Sequence, residues 1–230
     1  EYRQLYKTAF AATIAMLVII PAQIIVFAAT RLPATTVEWF ELFHSNLLVG
    51  FFHADFFILV NNILIAIIYL AFYHSLKEVN KAVIQIGLML GFIGIAAYIS
   101  SNRTFELLAL SNEYFATVDP QARSVIEAAG RASLAGWQGT AFDAYYVLNG
   151  IALFCISLLM YKSRDFSKGT ATWGLLAAIF MIIPSTAGIV GLIFSLLSLI
   201  PWYVFSILYA KKFRSLSEEN QAYPPSAGKN

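Results

Sequence analysis

Residues 47–73 read LLVGFFHADFFILVNNILIAIIYLAFY. The run is long enough to cross a bilayer, since a spanning helix needs ~20 predominantly apolar residues. It nevertheless carries His53, Asp55, Asn61 and Asn62. A charge at membrane depth is costly unless it is paired or hydrated, so these side chains are expected to face protein or water rather than lipid. The stretch therefore sets the solvent of the fold and the first place to look for chemistry.

The rest of the chain agrees with that solvent. Of 230 residues, 59% are hydrophobic and 12% charged, with a mean hydropathy of +0.70. Soluble domains carry about 25% charged residues. An all-α, polytopic integral membrane protein follows, with the lipid bilayer as its first partner. The formal charge of +2 and the absence of a basic stripe argue against nucleic acid. The single cysteine, Cys155, lies in an apolar run and is expected to pack as an inert small hydrophobe.

Outward from the central stretch, hydropathy predicts six transmembrane helices, over 8–30, 47–75, 82–100, 140–161, 170–183 and 189–209. The first exceeds a signal-peptide core and is expected to be retained as a span, kinked at Pro21 with Gln23 beside it. Residues 32–46 predict a short interfacial helix with Trp39, Phe40 and Phe43 at headgroup level. A short basic link over 76–81 is expected to separate the second and third spans. Gly87 and Gly91 form a small-xxx-small pair in the third, within one chain or between copies.

Residues 101–139 are the sizeable polar segment between spans. They predict two amphipathic extracytoplasmic helices, the first presenting Phe105, Leu108 and Phe115, the second capped by Asp119 with Pro120 at its first position. Together with 32–46 this segment is expected to form an outer cap on a single domain over 1–213. Residues 214–230 lack periodicity and read as a disordered cytoplasmic tail. Asn102-Arg103-Thr104 fits a glycosylation acceptor, a pattern too short to carry weight.

The positive-inside rule orients this arrangement. Arg3, Lys7, Lys77, Lys81, Lys162, Arg164, Lys168, Lys211, Lys212, Arg214 and Lys229 share one side, against Arg31, Arg103, Arg123 and Arg131. Both termini are thus expected in the cytoplasm, with Asp55 and Asp143 in the outer half of the membrane.

Chemistry is sought among the polar groups at that depth. On an unbroken helix His53 and Asp55 point ~200° apart and cannot serve one site directly, whereas Asp55 and Asn62 share a face. Asp55 is either a proton-handling or ligand-anchoring carboxylate, or part of a packing bond, with Arg103, Arg123 or Arg131 as candidate partners. Asp143 is either a first-turn carboxylate favoured by the helix dipole or the second acid of a cavity where Asp55, Asp143, Tyr146, Asn149 and Thr186 converge. The ligand-binding set is His53, Asp55, Asn62, Arg131, Asp143, Tyr146, Asn149 and Thr186. His44, His53 and His74 cannot ligate one metal, because His53 and His74 lie ~31 Å apart along a helix. No nucleotide-binding or nucleophile-elbow motif is present, and no cofactor or metal is expected.

Residues 140–213 resemble a bacterial family of six-helix membrane proteins known as domain of unknown function 4386. The likeness rests on Asp143-x-x-Tyr146, Gly150, the basic loop at Lys162, Arg164 and Lys168, the Pro-x-Thr-Ala-Gly turn from Pro184 to Gly188, and Leu199-x-Pro201-Trp202. The resemblance implies a bacterial cytoplasmic (inner) membrane location and supplies no activity or catalytic residues. The expectation is an outward-facing polar pocket that binds a lipid, another hydrophobic small molecule, a membrane-protein partner or a second copy of the chain. An intramembrane enzyme acting on a lipid or isoprenoid, with Asp55 and Asp143 as acid and base, is the alternative, and a small proton-coupled transporter a further one.

Overall fold

The computed structural model describes residues 2–219 and is helical almost throughout. The helices are α1 (Arg3–Ala29), α2 (Thr36–Ser45), α3 (Leu47–His53), α4 (Phe56–Ser101), α5 (Thr104–Ala116), α6 (Pro120–Trp137), α7 (Thr140–Lys162), α8 (Lys168–Met181) and α9 (Gly188–Glu219). Four helical stretches are long and apolar enough to cross a membrane: Arg3–Ala29, Phe56–Ala116, Pro120–Lys162 and Gly188–Glu218. Val18, Ile25, Met89, Leu196 and Ile200 lie exposed along them, as expected of surfaces whose solvent is lipid.

Contacts run from α1 to α4, α4 to α7, α7 to α8, α8 to α9, and from α9 back to α1, which closes a ring. Lipid removes the hydrophobic drive for helices to associate, so close packing of small residues and hydrogen bonds must hold such a ring. Both are present. Gly87, Gly91 and Gly94 face α7, where an added Cβ would meet Cys155, Ala152 and Asn149 respectively. The small-residue pair therefore serves a contact within the chain. Cys155 sits half-buried in that seam.

Proline in a helix leaves the carbonyl four residues earlier without its partner. Pro21 frees the Leu17 carbonyl in this way, and the Tyr203 hydroxyl of α9 donates to it. The defect in α1 thereby becomes a bond that ties α1 to α9.

Two expected boundaries fall differently. The link at 76–81 is helical except at Asn80, whose backbone (φ −162°, ψ 102°) leaves the helix and whose side chain caps Val83 N–H at 3.1 Å. The arms over 56–79 and 81–101 fold back on one another, bringing the Tyr69 and Phe92 rings to 5.8 Å. In a straight helix those residues would lie ~35 Å apart. A single asparagine cap does the work expected of a loop.

The second difference decides the site. The expected helix over 47–75 is broken between α3 and α4, where Asp55 adopts the left-handed conformation (φ 59°, ψ 24°). Aspartate tolerates that region better than most side chains. The break leaves the Ala54 carbonyl outside the helical ladder, and Asn102 Nδ2 (3.0 Å) and Thr104 Oγ1 (2.8 Å) both donate to it. Irregular backbone at membrane depth is tolerated where protein supplies such partners.

Residues 101–139 form α5 and α6 as expected, and Asp119 caps α6 by accepting from Gln121 and Ala122 N–H, with Pro120 at its start. The buried face of α5 is nevertheless Thr104, Leu107 and Ser111, while Phe105 is 57% exposed. Likewise Trp39, Phe40 and Phe43 are buried against Leu107, Trp137 and Ala54 rather than spread at headgroup level. The cap has a core of its own. At the far end, α9 continues through 214–219, where a disordered tail was expected, and 220–230 lie outside the described residues.

Candidate functional site

A partly open cavity of about 220 Å³ lies among the helices of the ring. Its wall runs from Asp55, just before α4, and Asn61 on α4, through Tyr145, Tyr146 and Asn149 on α7, to Ser195, Ser198 and Trp202 on α9. Ile20 of α1 and Met181 of α8 complete it. Along α4 the lining changes from Asp55 and Asn61 to Ile65, Ile68 and Phe72, and along α9 from Ser195 and Ser198 to Phe205 and Tyr209. One end is polar and the other apolar. The polar end adjoins the cap, because Ala54, next to Asp55, is bonded to the start of α5.

Asp55 is held by its surroundings. Gln23 Nε2, from α1, donates to its Oδ1 at 2.6 Å. The Tyr98 hydroxyl, buried and without strict hydrogen-bond geometry to any described group, approaches the same carboxyl. Arginine is not its partner. Arg103 pairs with Glu106, Arg131 pairs with Glu127 on the exposed face of α6, and Arg123 bonds Thr117 O and lies over the Tyr114 ring. These arginines are engaged within or beside their own helices α5 and α6.

The left-handed residue also changes what His53 and Asp55 can reach. Instead of diverging by ~200°, both engage α1, His53 Nε2 with Thr30 Oγ1 at 2.8 Å and Asp55 with Gln23. Gln23 and Thr30 are two helical turns apart and share a face. His53 is buried at 2% exposure, stacked on Phe27 at 4.9 Å, and lies outside the cavity lining. His44 stacks on Phe115 instead.

Of the residues singled out from sequence, Asp55, Tyr146 and Asn149 meet in the cavity. Asn62 is fully buried beside it and bonds Ile58 O at 3.0 Å; Asn61, one position earlier, lines the cavity. Asp143 is not in the lining. It accepts from Thr186 and so latches the turn between α8 and α9 onto the first turn of α7. Tyr146 lies close enough to feel both carboxylates. Asn149 is committed to structure, with its Oδ1 accepting from Tyr69 at 2.7 Å and its Nδ2 donating to Tyr145 O at 3.2 Å.

Sequence reasoning did not assign Gln23, Asn61, Tyr69, Tyr98, Tyr145, Ser195 or Ser198 to the site. A signal was present for Gln23, an amide at membrane depth beside a proline, since polar groups there need partners. The tyrosines and serines gave none, because each is also an ordinary occupant of an apolar span.

A family sequence model described as "Domain of unknown function (DUF4386)" matches residues 8–210. No curated protein and no solved structure matches the chain.

Proposed function

The chain belongs to the family of domain of unknown function 4386, and on that premise we propose that it is a bacterial inner-membrane protein that binds a lipid or another hydrophobic small molecule in its central cavity. The observation that carries the reading is the cavity itself, partly open, lined by α1, α4, α7, α8 and α9 and graded from polar to apolar along its length. Ligand sites have this character, largely apolar with a few convergent polar groups. Its volume sits below the ~300–1,000 Å³ of pockets for drug-sized ligands, which suits a slender molecule.

In this reading the two arms of α4 each cross the membrane and α8 supplies a short crossing, which gives six passes with both termini in the cytoplasm. The basic residues at 77–81, 162–168 and 211–214 support that orientation. Helices α2, α3, α5 and α6 then form an outer cap, and the polar end of the cavity faces the outer leaflet. The acid and base pairing of Asp55 with Asp143 draws no support from the lining, which includes only the first.

The test is a titration of the full-length protein in a non-ionic detergent with n-octanol, read by thermal unfolding. Saturable stabilisation is expected, about 2.7 kcal/mol at 100 times Kd, and it should disappear in Ile65→Trp, whose indole fills the cavity. Equal stabilisation of both proteins would place octanol elsewhere and overturn the reading.

A further inference from the structure

We propose that the ligand carries a cationic amine at its polar end, held by Asp55 beside a cluster of aromatic rings. The inference rests on the cavity being a ligand site, and it names the chemistry of the ligand's head.

Charge comes first. Among the described residues Asp55 is the carboxylate in the lining, and no lysine, arginine or histidine lines the cavity with it. Among the described residues no cationic side chain in the lining pairs with a phosphate, a sulfate or a carboxylate, so anionic and zwitterionic phospholipid heads are disfavoured. Gln23 donates to the carboxyl and the Tyr98 hydroxyl approaches it, both neutral, and the four salt bridges among the described residues lie elsewhere. A cation would complete the site.

The rings come second. Tyr98 stands 4.8 Å from Tyr145 and 6.0 Å from Phe142, while Phe142 and Tyr145 stand 5.2 and 5.4 Å from Tyr146. All four line the cavity with Asp55. Ring faces attract cations through their quadrupoles, and aromatic cages beside a carboxylate suit ammonium groups.

Hydrogen bonding is the third point. Asn149 has spent both ends of its amide, and Ser198 donates to Ser195 O at 2.7 Å. Acceptor capacity remains at the polar end in the Asp55 carboxyl and in the Asn61 carbonyl oxygen, which has no partner among the described residues, while the Tyr98 hydroxyl beside them already faces the carboxyl. An ammonium brings donors and no acceptor. From Asp55 to Phe72 the wall of α4 extends ~25 Å, ending in Phe72, Phe205 and Tyr209. The geometry points to an amine at one end of a slender apolar body.

The experiment compares octylammonium, n-octanol and octanoate against the protein in a non-ionic detergent, using the same unfolding readout, with Asp55→Asn as the variant. The cation should bind at least about tenfold tighter than octanol, octanoate should bind weakest, and Asp55→Asn should bring cation and alcohol to parity. Octanol or octanoate binding as tightly as the cation would overturn the inference, as would a cation preference that survives in Asp55→Asn. If that variant does not fold, the order of the three probes on the unaltered protein decides alone. Octanol binding without cation preference removes this inference and leaves the cavity reading standing; no binding by any probe removes both.

Discussion

Gln23 Nε2 lies 2.6 Å from Asp55 Oδ1, joining the C-terminal part of α1 to the residue at which the next long apolar stretch breaks. The bond sets the direction of the carboxyl into the cavity, and the left-handed backbone of Asp55 lets it be made. Replacement of Gln23 by leucine removes the donor and should destabilise the protein by about 1–3 kcal/mol, the cost of orphaning a buried polar group. Unfolding of Gln23→Leu in detergent measures this, and an unchanged midpoint would mean that the bond contributes nothing.

Backbone conformation at position 55 yields a separate expectation. Asp55→Asn and Asp55→Gly keep access to the left-handed region and should fold, whereas Asp55→Val should lose about 1–2 kcal/mol more than either. The comparison of the three midpoints isolates the strain from the side-chain bond. Equal stabilities would argue that the break is not held at this residue.

The carbonyl of Ala54 has two donors, Asn102 and Thr104. Each single substitution, Asn102→Ala or Thr104→Ala, leaves one donor in place and should cost little. The double variant orphans the carbonyl and should exceed the sum of the singles by about 1 kcal/mol or more. A double-mutant cycle reads this directly. For the same reason Asn102, 7% exposed, should carry no glycan when the protein is expressed in a eukaryotic secretory pathway.

At the seam between α4 and α7, a Cβ at Gly91 would meet the Tyr69 ring and stand 3.0 Å from the Ala152 Cβ. Gly91→Ala should therefore cost about 1–3 kcal/mol through overpacking. Gly136 of α6, whose nearest neighbour would be Arg103 Nε at 3.6 Å, has room. Gly136→Ala should be neutral or stabilising, since alanine is the better helix former. Thermal unfolding of the pair tests the close approach of the two helices.

These relationships explain which parts of the fold were legible in the sequence. Hydropathy located the apolar helices, and Asp119-Pro120 announced the start of α6, because those signals are local. The break at Asp55 was invisible, since 47–73 is apolar enough for one unbroken span and what holds the break comes from Gln23, Asn102 and Thr104. The site was half legible for the same reason. Asp55 stood out as a charge at depth, and Tyr146 and Asn149 by their place after Asp143, but Asp143 itself is drawn to Thr186. The cap aromatics were misplaced because amphipathic periodicity shows a buried face without showing whether lipid or protein covers it.

The six-pass arrangement predicts opposite labelling of two loops. In a Cys155→Ala background, Ser167→Cys should react with an impermeant maleimide from the cytoplasmic side, and Val118→Cys, at a position 90% exposed, from the outer side. Labelling of both from one side would require an even number of crossings between them and would undo the proposed orientation.

The central claim is that the cavity among α1, α4, α7, α8 and α9 holds a small hydrophobic molecule. Native mass spectrometry of the protein, extracted gently from its own membrane, tests it most directly. The account predicts an adduct of defined mass on the unaltered chain that is absent from Ile65→Trp. A bare chain in both, or an adduct that persists in the filled variant, would contradict it.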